Sequence, residues 1–221
     1  MRRILYENGL SFVMFGLFFV FVAAQSFAGF FEYNRDQREH GQSGIGYVQY
    51  LGSGQFVESV FENWESEFLQ MGLYVLLTAF LYQKGSSESK DPEAENPVDT
   101  DPTEYGHHPE SPWPVRKGGV VLKLYENSLS LAFVVLFFSS FALHAIGGVT
   151  AYNQELTEHG AQPVSVLGYF GTSRFWFESL QNWQSEFFAM GAMVVLSIWL
   201  RQRGSPESKP VASEHGKTGS E

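Results

Sequence analysis

The sequence predicts an all-α membrane protein whose four transmembrane helices form two parallel-oriented two-helix repeats, related by a pseudo-two-fold axis along the membrane normal. Three observations carry this. The apolar residues, 44% of the chain, are gathered into four blocks, while the charged 17% fall in the tails, the loops and one long linker. The second half repeats the first at an offset of 119: Tyr6, Asn8, Gly29, Tyr33, His40, Gly41, Tyr50, Trp64, Glu67, Gly72 and Gly85 all meet identical residues. Finally, eleven of the fourteen Lys and Arg lie in the tails and linker, which places those segments on the cytoplasmic side.

The first apolar block, Leu10 to Phe31, follows Arg2-Arg3 and covers roughly 33 Å as a helix, about the thickness of a hydrocarbon core. Charge, apolar run and Val22-Ala23-Ala24 would also suit a signal peptide. The copy at Leu129 to Ala151 stands mid-chain and favours a span in both places. Ahead of each block, Leu5-Tyr6-Glu7-Asn8 and Leu124-Tyr125-Glu126-Asn127 offer an interfacial Tyr and an Asn suited to a helix N-cap.

Each first helix is expected to run past the apolar block to Glu39-His40 or Glu158-His159. It should stop at Gly41 or Gly160, with the His facing the negative end of the helix dipole. Two isolated Glu-His pairs fall short of a metal-site spacing, and His107-His108 lie in a polar tract. No metal and no cofactor is expected. The Ser and Thr residues of Leu51-Gly52-Ser53-Gly54 and Phe170-Gly171-Thr172-Ser173 are the N-caps expected for the next helices. The repeat register slips by one at Glu58-Ser59, which match Glu178-Ser179 better.

The second apolar blocks, Phe68 to Tyr82 and Phe187 to Leu200, are too short to span unless they take in Asn63-Trp64-Glu65-Ser66-Glu67 and Asn182-Trp183-Gln184-Ser185-Glu186. That places Glu67 and Glu186 about one turn inside the outer hydrocarbon edge, with Trp64 and Trp183 as interface anchors. Asn63, Glu67 and Gln70 share a helix face, as do Asn182 and Glu186. Gln25 and its counterpart His144 lie at similar depth on the first spans and are the expected partners of this intramembrane polar cluster.

The domains so defined are a first two-span repeat at 1–84, a disordered acidic Pro-rich linker at 85–118, a second repeat at 119–203 and a disordered tail at 204–221. Zero cysteines exclude disulfides and thiolate chemistry. A net charge of −10 without a basic stripe excludes nucleic acid. Outside the membrane, eleven acidic side chains face three basic ones, a field that attracts cations.

Tyr-Glu-Asn-Gly-Leu-Ser before the first span, Glu-His-Gly after it, and Asn-Trp-Glu-Ser-Glu-Phe-Leu-Gln-Met-Gly leading into the second resemble a family of small bacterial membrane proteins of unknown function. The resemblance covers both repeats. It implies a bacterial inner membrane and brings no activity or ligand. No nucleophile-base set is present either, so the expectation is a non-catalytic membrane protein. Its outer hairpins would bind a membrane or envelope protein or support the envelope. The competing readings are a cation- or proton-coupled transporter using Glu67 and Glu186, and a membrane enzyme.

Overall fold

The computed structural model describes residues 2–219 and contains nine α-helices and no strand among them. Two short helices lead into two long ones: α1 (Arg2–Glu7) into α2 (Gly9–Glu39), and later α6 (Gly119–Glu126) into α7 (Ser128–Glu158). Between them come α3 (Tyr47–Leu51), α4 (Gly54–Thr78) and α5 (Trp113–Lys117); α8 (Val166–Phe170) and α9 (Ser173–Leu196) close the chain. Two 3-10 turns, Pro97–Asp99 and Pro102–Tyr105, fall in the linker. Among the described residues, α2 and α7 are the two helices long and apolar enough to cross a membrane. Only 6% and 17% of their apolar windows are buried, unlike the core helix of a soluble protein.

The local signals behave as residue chemistry requires, with one correction. Both long helices end at Glu39 and Glu158, and Gly41 (φ 74°) and Gly160 (φ 70°) take the left-handed conformation that terminates them. His40 and His159 turn Nδ1 back onto the carbonyls of Asp36 and Glu155, at 2.9 and 2.8 Å. Ser53 and Thr172 accept from the amides of Phe56 and Phe175 as N-caps. Asn8 and Asn127 do not cap through their side chains. Each donates back to the carbonyl four residues earlier, Ile4 at 3.0 Å and Lys123 at 2.9 Å, so the short and long helices nearly run together.

The chain forms two compact units, Met1–Val60 with Leu143–Phe170, and Phe61–Ala142 with Gly171–Glu221. In the first unit, the phenol of Tyr33 on α2 meets Gln154 on α7 at 3.2 Å. Gly54 at the start of α4 lies against the Gly147 carbonyl and Thr150 of α7, a close backbone approach that small residues permit. In the second unit, Phe68 and Gly72 of α4 lie against Phe133 of α7, and Phe141 of α7 meets Phe175 of α9 edge-on at 5.4 Å. Within each unit, helices from the first half of the chain thus pack on helices from the second half.

The polar segments of the second unit are built from turns. Ser89 and Ser208, 119 residues apart, each accept the amide of the residue six before, Gln83 and Gln202, at 2.9 Å. Ser86 meets Ser197, and the Gly219 amide donates to the Ser86 carbonyl. Lys209, 1% exposed, holds its ammonium 2.5–3.3 Å from the carbonyls of Gly85, Glu214, His215 and Lys217. Burial lowers its pKa, with Arg201 adding to the effect.

Candidate functional site

A buried polar arrangement in the first unit is built from α4, α7 and α8. Glu58 stands one turn into α4, His144 faces inward from α7, and Tyr169 lies in α8 at the end of the loop that follows α7. Their exposures are 6%, 0% and 0%. The Tyr169 hydroxyl donates to Glu58 Oε1 at 3.1 Å. A Glu58 oxygen and a His144 ring nitrogen lie within 4.8 Å. Gly148 makes room for them, since a Cβ there would stand 2.5 Å from the Tyr169 oxygen and 2.9 Å from Glu58 Oε1.

Two loop staples frame this centre. Asn34 Nδ2 donates to the Ile45 carbonyl while its Oδ1 accepts the Ile45 amide; Asn153 does the same with Val164, at 2.9 and 2.7 Å. One asparagine therefore satisfies both backbone groups of a loop residue, as an added strand would. Tyr50 packs over Gly29 as Tyr169 packs over Gly148. Burial, with Tyr47 nearby, raises the Tyr50 pKa.

The residues singled out from the sequence fall in several places. His144 belongs to the buried centre. Gln25 is exposed and donates to the Ser59 carbonyl at 3.3 Å. On α4, Gln70 is buried, whereas Asn63 and Glu67 lie on the exposed side; Glu65 and Ser66 take the buried positions between them. On α9, Asn182 and Glu186 are half-buried. Trp183, expected as an interface anchor, donates its indole N–H to Glu65 Oε1 at 3.0 Å, and Trp64 stacks edge-on with Phe61 and Phe68. Sequence reasoning passed over Glu58, Tyr169 and the two asparagines. The signal was present: Gly and Tyr recur 21 residues apart in both copies, as do Asn34 and Asn153 at the offset of 119.

A family model described as a domain of unknown function, DUF6766, matches residues 1–220. The chain belongs to this family. No curated protein and no solved structure matches it. The DUF6766 assignment thus brings no ligand or reaction, and the functional argument rests on the geometry of the site.

Proposed function

We propose that this DUF6766 chain is a four-span, non-catalytic protein of the bacterial inner membrane, a tandem pair of two-helix units whose outer ends bind a membrane or envelope protein. α4 and α9, with 25 and 24 residues, measure roughly 36–38 Å and are long enough to be the second span of each unit. The asymmetry of Lys and Arg supports cytoplasmic termini and linker. The observation that carries the binding role is that the loop ends are pinned by the hydrogen bonds of Asn34 and Asn153 beside an open groove of about 590 Å³. The groove is lined by Gln42, Thr150, Asn153, Gln154, Thr157 and Glu158. A pre-ordered polar groove loses little entropy when a partner docks. A photo-crosslinker at Gln42 in intact cells should give one discrete adduct absent when the crosslinker stands at Gly216. The same pattern of adducts at both positions would sink the reading.

A second reading, cation or proton coupling through Glu67 and Glu186, is favoured by the excess of acidic over basic side chains in the segments outside the cytoplasmic tails and linker. The outer basic groups are already engaged by their neighbours, Arg174 with Glu178 at 2.9 Å and Arg35 with Glu32 and Glu39, which leaves the acidic excess in place. Ion flux in proteoliposomes that disappears in a Glu67→Gln, Glu186→Gln double variant would replace the first reading with this one.

A further inference from the structure

We propose that α5 and α6 form a docking surface for anionic phospholipid headgroups of the cytoplasmic leaflet, with Arg116, Lys117 and Lys123 as the phosphate-binding groups. In a chain of net charge −10, the segment from Trp113 to Tyr125 carries these three basic residues and no Asp or Glu. All three are exposed, and among the described residues none of them forms an ion pair. Other basic side chains of the same unit are engaged: Lys84 with Glu93, Lys90 with Asp99, and Arg201 and Lys209 with backbone carbonyls. Free charge of one sign is what an anionic leaflet attracts.

The apolar side chains of the segment fit a headgroup layer. Leu122 is buried at 4% exposure, whereas Val120 and Leu124, four residues apart on one face of α6, are 72% and 57% exposed with Lys123 beside them. Trp113 and Tyr125, the residue types of a membrane interface, are exposed at the two ends. The Lys117 ammonium lies 4.8 Å from the centre of the Trp113 ring, so charge and aromatic face are presented together. Two successive left-handed glycines, Gly118 (φ 68°) and Gly119 (φ 62°), make the elbow that turns α5 back from α6. Asn127 then donates to the Lys123 carbonyl and ties α6 to the start of α7, which sets the basic face at the end of an apolar span. The first copy lacks this surface, since Arg3 of α1 is neutralised by Glu7 at 2.6 Å. The leaflet assignment rests on the proposed topology, with α7 as a span and the linker cytoplasmic.

The test uses the full chain, delipidated in a non-ionic detergent and given labelled phosphatidylglycerol, with unlabelled phosphatidylglycerol or phosphatidylcholine as competitor. Wild type should prefer the anionic lipid by about tenfold or more, and the preference should shrink as salt is added. An Arg116→Gln, Lys117→Gln, Lys123→Gln triple variant should lose most of it. An Arg3→Gln, Lys84→Gln, Lys90→Gln variant removes the same charge from side chains already paired with Glu7, Glu93 and Asp99, and should keep it. A photoactivatable phosphatidylglycerol should attach to wild type within residues 113–125, a result that needs no variant to fold. Equal binding of the two lipids, equal losses in the two triple variants, attachment only elsewhere, or displacement of the lipid by excess inorganic phosphate would overturn the proposal. Binding in detergent needs no orientation. An inverted topology would move the surface to the other leaflet and leave this binding unchanged, so the two failures are told apart.

Discussion

A methyl group at residue 147 would stand 2.5 Å from the Glu58 amide nitrogen and 3.0 Å from the Gly54 carbonyl oxygen, both backbone atoms that cannot turn aside. Gly147→Ala should therefore destabilise the fold by about 1–3 kcal/mol, the usual range for overpacking. Gly16, also mid-helix, meets nothing within 4 Å, and Gly16→Ala should be neutral or stabilise by up to about 1 kcal/mol. Paired thermal unfolding in one detergent measures the contrast, and equal shifts would show that α4 and α7 do not meet at Gly147. His40 supplies a pH dependence. Its hydrogen bond to the Asp36 carbonyl, reinforced by the Asp36 carboxylate, raises its pKa above the ordinary 6.5. A raised folded-state pKa means that its contribution is full below about 6.5 and fades as pH rises through the folded value. NMR titration of the His40 ring should give a midpoint above 6.5, and Asp36→Asn should bring it down.

At the scale of elements, each long helix is tied to the loop that follows it by one asparagine. Asn34→Ala removes both partners of Ile45, and Asn153→Ala both partners of Val164, at a cost of about 1–3 kcal/mol each. The loss should be local. Hydrogen exchange at residues 42–46 or 161–165 should speed up by an order of magnitude or more, with the apolar stretches of α2 and α7 unchanged. Uniform acceleration along the helices would mean that the loops are not separately held. The Gly-Tyr contact beside each staple explains why the loop returns over its own helix: at Gly29 and Gly148 the backbone is bare enough for a phenol to lie on it.

At the scale of the whole molecule, the orientation is open to direct measurement because the chain has no cysteine. Ala94 and Ala212 are exposed in the linker and tail, and Ala161 is exposed in the loop after α7. With one cysteine at a time in intact cells, an impermeant thiol reagent should label position 161 and leave 94 and 212 unmodified until the membrane is opened. The reverse pattern would invert the topology.

Helix identity, helix ends and the Ser and Thr caps follow from the sequence, because an apolar run, a left-handed glycine and a capping hydroxyl act over a few residues. Belonging to a family of unknown function was legible too, through motifs that stand in both copies. What the tertiary structure decided is which polar groups meet. His144 looked like a partner for Glu67 or Glu186 because all three lie at similar depth, yet it packs in one unit with Glu58 and Tyr169, while Glu65 rather than Glu67 takes the buried place on α4. Depth is fixed by counting along one helix, whereas the inward face depends on where neighbouring helices touch. That in turn depends on bare backbone at Gly54, Gly147 and Gly148, whose role appears only when α4 and α7 lie side by side.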